Sequence, residues 1–106
     1  MKTSELQGTA LDWAVAKCEG HDMEYFQVVD AYLPSTDWAQ GGLIIEQERI
    51  SLLMAGWDSL DAALPLWEAT SYSSREILLG NTPLVAAMRC YVASKMGDEI
   101  ELPEEA

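Results

Sequence analysis

Residues 82–97 constrain this chain more than any other stretch. Thr82-Pro83 places a capping hydroxyl directly before a proline whose preset φ suits the first position of a helix. Leu84, Ala87, Met88, Tyr91 and Val92 then recur at helical spacing. Lys95 falls in the last turn, where a cation complements the helix dipole, and Gly97 stops the helix. A stripe of this kind has to be covered, and a sheet is the expected cover. Arg89 is the lone charge in the run from Leu84 to Tyr91. It either marks the solvent side of the helix or pairs with a carboxylate at an interface.

The rest of the chain supplies that sheet and a second helix. Ser4-Glu5-Leu6-Gln7 fits a capping box with Ser4 as N-cap. Leu6, Ala10, Trp13, Ala14 and Lys17 share one helical face beyond it, and Leu11, Val15 and Cys18 share the next. Gly20 suits the left-handed residue after the last turn. Residues 25–32 are aromatic and β-branched and read as a strand, broken by the Leu33–Asp37 turn. Gly41-Gly42 disfavours a continuous helix from Asp37, since each glycine costs about 1 kcal/mol against alanine. Leu43 to Arg49 is therefore expected to make only a short helical turn burying Ile44 and Ile45. Ile50 to Met54 and Leu66 to Thr70 read as partner strands, with a turn at Gly56-Trp57-Asp58. After Gly97, Ile100 and Leu102 alternate with Glu99 and Glu101, the pattern of an extended tail tucking two apolar side chains onto the body. The order predicts an α+β fold: a small, mostly antiparallel sheet packed by an N-terminal and a C-terminal helix. The expected division is one globular domain over 1–97 and an acidic tail over 98–106.

With 106 residues the chain supports one domain, and 49% hydrophobic content argues against wholesale disorder. Six Lys and Arg stand against 18 Asp and Glu, a formal charge of −12. That excess opposes direct nucleic-acid binding, which needs a basic patch to displace counterions, and equally a polybasic membrane-surface role. Leaving out residues 98–106 removes five acids and no bases, so the body is acidic without its tail. No signal-peptide core or spanning segment is visible, which places the expected location in the cytoplasm.

Catalytic and metal chemistry find little support. Cys18 and His21 have the spacing of half a metal site, but Cys90 alone does not complete a tetrahedral shell. His21 is expected in a solvent-facing loop and both cysteines as free buried thiols. No nucleophile elbow or phosphate-binding glycine loop occurs, and the carboxylate pairs stand among polar residues. The expectation is a non-enzymatic protein with no cofactor and no metal. Trp13 and Trp67 fit core faces. Trp38 and Trp57 fall in loop-like stretches, where each either staples its loop or lines a recognition surface. The candidate interaction surface is therefore Trp38, Trp57, Glu46, Glu48 and Asp61. The alternative is a ligand pocket between sheet and helices formed by Trp38, Trp57, Arg49, Arg75 and Arg89.

Three segments resemble a known family: residues 3–6 with 10–20, residues 34–42 leading into Ile44-Ile45-Glu46 and Ile50-Ser51, and residues 82–90 running through 92–95 to Gly97-Asp98-Glu99. Together they resemble the NinX-like small bacteriophage proteins. Leu43 departs from that pattern where proline is expected, and 20–33 and 54–81 match weakly. The resemblance implies a phage or prophage accessory protein in the bacterial cytoplasm and supplies no catalytic residues. It raises the prospect of host interference. The expected function is binding of a host or phage protein, with the acidic surface steering onto a basic, nucleic-acid-handling or defence factor. The plainer reading of that acidity is a solubilising surface. The alternative is a small-molecule-sequestering protein. Self-association into a symmetric dimer is also expected, because four tryptophans and an alanine-rich closing helix exceed what a thin sheet covers.

Overall fold

The protein is described by a computed structural model covering residues 1–20, 32–60 and 62–102. Helix α1 (Gly8–Cys18) is followed by α2 (Trp38–Glu48), strands β1 (Ile50–Trp57), β2 (Pro65–Ser71) and β3 (Ile77–Gly80), and α3 (Pro83–Met96). The strands form one antiparallel sheet in the order β1-β2-β3. This is the α+β arrangement expected, with α1 and α3 as its N- and C-terminal helices. The strand expected over 25–32 lies, apart from Tyr32, outside the described residues.

Helix α3 begins and ends where its local signals place it. Val85 N donates to Thr82 Oγ1 at 3.1 Å, Pro83 occupies the first turn, Lys95 the last, and Gly97 follows. Leu84, Ala87, Met88, Tyr91 and Val92 are buried as the stripe predicts, and so are Ala86, Cys90 and Ala93. The burial extends around the helix because α3 touches β1, β2 and β3 as well as α1 and α2. Small residues on several sides of α3 let these neighbours approach together. The core therefore sits around α3, with Leu11 and Val15 from α1, Ile44 from α2, and Ile50, Ala69 and Leu78 from the sheet.

Two expectations about helix boundaries are corrected. Ser4 does not cap α1: Thr3–Glu5 form a separate 3-10 turn, and α1 starts at Gly8 after an extended Gln7 with no side-chain cap. Long-range bonds outweigh the local cap here. Thr3 N donates to Asp98 O and Thr3 Oγ1 to Gly97 O, both at 2.7 Å, while Arg89 Nε donates to Leu6 O at 2.7 Å. Nor do the glycines break α2, which runs unbroken from Trp38, with Asp37 Oδ1 accepting from Ala39 N at 2.9 Å. A Cβ at Gly41 would strike the Pro34 carbonyl oxygen and the Leu84 side chain. The missing side chain lets α2 close onto α3 and the preceding turn, and that packing offsets the lower helix propensity.

The sheet is longer than expected. Strand β1 continues past Met54 through a bulge to Trp57, with Met54 opposite Trp67 and Gly56 opposite Leu66. Gly56 adopts φ 130°, a conformation suited to glycine, and its bulge carries the strand on to Trp57. Strand β3, for which the sequence suggests no element, pairs with β2 on the side away from β1. The C-terminal segment behaves as its alternation predicts: Ile100 is buried, Leu102 is half-buried, and Met1 and Ile100 exchange backbone bonds at 2.9 and 3.0 Å.

Candidate functional site

Side chains paired across an antiparallel sheet point to the same face, so the register sorts this sheet into two sides. Ile50, Leu52, Trp67, Ala69 and Leu78 belong to the side that meets α3. The other side consists chiefly of two rows across the three strands. One row is Leu53, Glu68 and Leu79; the next is Ser51, Thr70 and Ile77. Leu53 is 62% exposed, Ile77 60% and Leu79 42%, and among the described residues no element covers them. Glu68 is the only charge in the two rows, and no cation or donor among the described residues pairs with its carboxylate. The result is a face with three exposed aliphatic side chains, Ser51 and Thr70 beside them, and one carboxylate on the middle strand.

The two outer strands of the sheet differ as well. Arg89 Nη1 donates to Leu79 O at 2.7 Å while its Nε donates to Leu6 O. The guanidinium thus ties α3, β3 and the N-terminal segment together. Burial holds its pKa below the ordinary guanidinium value, with Glu5 opposing the shift. Neither expectation for Arg89 describes it, since its guanidinium donates to two backbone carbonyls. Strand β1, on the opposite side of the sheet, carries eight residues without a charge.

The expected interaction residues divide between the two ends of the molecule. Trp38 opens α2 and Trp57 closes β1, so each stands in a regular element rather than a loop; they are 55% and 61% exposed. Both flank the start of α3. Trp38 shares a cleft with residues 82–85, and Asn81 Nδ2 donates to Asp58 Oδ2 beside Trp57 at 3.0 Å. Glu46 and Glu48 lie at the far end of α2, where Glu48 pairs with Lys95 at 3.3 Å. Asp61 lies outside the described residues. Among the alternative pocket residues, Arg49 ends α2 in a left-handed conformation and its carbonyl accepts from Tyr72 N. Arg75 sits in the β2–β3 turn, bonded through its N–H to Ser71 O, at that same end. The tryptophans and these two arginines therefore mark opposite ends.

The cleft beside Trp38 measures about 230 Å³ and is lined by Ser35, Thr36, Trp38 and residues 82–85. Its size falls below the roughly 300–1,000 Å³ of ordinary ligand pockets. Two helices begin here, yet Asp37 and Thr82 already cap them with their own oxygens. The buried Ser35 hydroxyl lacks a hydrogen bond of sound geometry, but it faces the Asp12 carboxylate rather than standing alone. Asp12 is buried in α1 and accepts from Ser35 N at 2.8 Å. Burial raises its pKa, and the backbone and hydroxyl of Ser35 partly oppose the rise.

A polar cluster joins the ends of α1 and α3. Tyr91 Oη donates to Glu19 Oε2 at 2.6 Å, with the Lys95 ammonium 5.8 Å from the tyrosine ring centre. Burial and then the neighbouring Glu19 push the Cys18 thiol up to about 11, against Lys95 and Lys17. Burial likewise raises Tyr32 to about 12. A thiol held protonated is a poor nucleophile. Cys18 is half-buried and Cys90 buried, both as free thiols.

Sequence reasoning singled out neither Leu53, Glu68, Ile77 nor Leu79. The available signal was a missing alternation: Leu52-Leu53-Met54 and Ile77-Leu78-Leu79 are apolar at successive positions. An antiparallel sheet with one wet face normally alternates apolar with polar.

Fold and surface together define a small α+β protein whose sheet, among the described residues, is covered on one side and open on the other. The chain belongs to the family described as Bacteriophage P22, NinX, whose family model matches residues 2–95. No curated protein matches the chain. Among the described residues no helix is long and apolar enough to cross a membrane.

Proposed function

We propose that this phage protein is a non-enzymatic accessory factor that acts by binding a host or phage protein through the open face of its sheet. The observation that carries the reading is the exposure of Leu53, Ile77 and Leu79 together on one face, opposite the face covered by α3. Contiguous aliphatic surface of this kind marks interaction sites in soluble proteins.

The partner's chemistry follows from charge. A chain of −12 attracts a basic surface from a distance and orients it, while Leu53, Ile77 and Leu79 supply the apolar contact. The favoured partner is accordingly a protein with a basic rim around an apolar patch, a description that suits a nucleic-acid-handling or defence factor. Action in the bacterial cytoplasm belongs to the same proposal.

Native mass spectrometry of complexes recovered from infected cells tests this reading. The full-length chain should carry a protein partner, and the Leu53→Ser, Ile77→Ser double variant should lose that mass while keeping its melting profile. A complex that survives the double substitution would contradict the assignment. A bound small mass in place of a protein would support the sequestering alternative instead.

A further inference from the structure

We infer that the open face seats a cationic side chain of the partner, an arginine or lysine, on the Glu68 carboxylate, with apolar partner residues lying over Leu53 and Leu79. The inference rests on the docking reading above and names the chemistry of its centre. Glu68 lies on the middle strand, in register with Leu53 on one side and Leu79 on the other. It is half-buried, and no cation or donor among the described residues neutralises it.

A partner that covered the two leucines would also strip water from the carboxylate between them. Leaving that charge uncompensated would oppose binding, so a complementary surface must bring its own cation to this point. A guanidinium suits the position best. It is planar, offers two parallel N–H donors to both carboxylate oxygens, and is more weakly hydrated than an ammonium. A second copy of this chain fits poorly. Face-to-face pairing across the centre would bring two Glu68 carboxylates together, and two chains of −12 repel on approach.

The test titrates the full-length protein, observed by NMR, with N-acetyl-Leu-Arg-Leu-amide and with the same peptide carrying citrulline, the neutral isostere of arginine. The arginine peptide should shift amides of residues 51–53, 67–70 and 77–79 and bind about tenfold more tightly than the citrulline peptide, the gain of one charge-assisted pair. Glu68→Gln should erase that discrimination and leave the remaining spectrum in place. Equal binding of the two peptides, shifts elsewhere, or no shift at millimolar peptide would overturn the inference.

Photo-crosslinking from position 77 separates this inference from the docking reading. A partner captured equally by the wild-type chain and by Glu68→Lys leaves the docking face standing and removes the cation seat. Sedimentation that shows a dimer lost in Leu53→Ser would place a second copy on the face and overturn both.

Discussion

On one side of the sheet Leu52, Trp67, Ala69 and Leu78 meet α3 and are wholly or partly withdrawn from water; on the other, Leu53, Ile77 and Leu79 stand in it. Aliphatic residues stand on both sides, with Ser51, Glu68 and Thr70 added on the open one. What sets the two groups of aliphatic residues apart is cover. A single central helix is lined by strands and by both other helices, and among the described residues nothing is left to form a second layer outside the sheet. Folding alone would favour polar residues on the open side, as in other half-solvated antiparallel sheets. Aliphatic side chains there, around a carboxylate with no cation among the described residues, support the proposal of a surface that is covered in a complex. The strands at the two borders repeat the contrast: an arginine from α3 holds β3 by a carbonyl, while β1 is long and carries no charge.

Substitutions test that contrast directly. Met88→Ala should cost about 2–5 kcal/mol, because the side chain is fully buried in α3 and its removal leaves a cavity; urea unfolding measures it. A loss below half a kcal/mol would mean that the covered side is not the core. Gly41→Ala should cost about 1–3 kcal/mol, since the added methyl collides with the Pro34 carbonyl and Leu84 and must push α2 outward. A stabilising Gly41→Ala would show that α2 gains more from propensity than it loses in packing.

A smaller effect comes with pH. Burial raises the Asp12 pKa above its ordinary 3.8, so the folded state binds this proton more tightly than the unfolded chain does. Stability from this group is present below 3.8 and is lost as pH rises through the raised folded value. Asp12→Asn keeps an acceptor for Ser35 N and carries no charge. Its urea midpoint relative to wild type should therefore climb from pH 3.8 upward and level off above the folded pKa. A relative midpoint that falls over this range would contradict the assigned sign. The smallest stability effects belong to the open side. Leu53→Ser and Ile77→Ser should each change unfolding free energy by no more than about 0.5 kcal/mol. A loss comparable to Met88→Ala at either position would erase the distinction between the faces.

The parts of this fold that the sequence makes legible are those specified locally. Thr82, Pro83, the Leu84–Val92 stripe and Gly97 lie within one element, and each does in the structure what its type predicts. The alternation of Ile100 and Leu102 was readable for the same reason. The start of α1 was not, because Thr3 and Leu6 answer to Gly97, Asp98 and Arg89, more than 80 residues away. The continuity of α2 was hidden because Gly41 is explained by Pro34 and Leu84 rather than by its helical neighbours. At the surface, Trp38 and Trp57 drew attention by their chemistry, and the structure leaves both exposed. The row Leu53–Glu68–Leu79 required the strand register, including a third strand of four residues whose uniform apolar character conceals its two faces.

The central claim, that the open face of the sheet is where this protein meets its partner, is tested most directly by crosslink scanning in infected bacteria. A photo-reactive residue is placed in turn at Leu53 and Ile77 on the open face and at Thr9 and Lys17 on exposed positions of α1. The account predicts one discrete protein adduct from positions 53 and 77 and none from positions 9 and 17. Adducts from α1 alone, or the same adduct from all four positions, would contradict it.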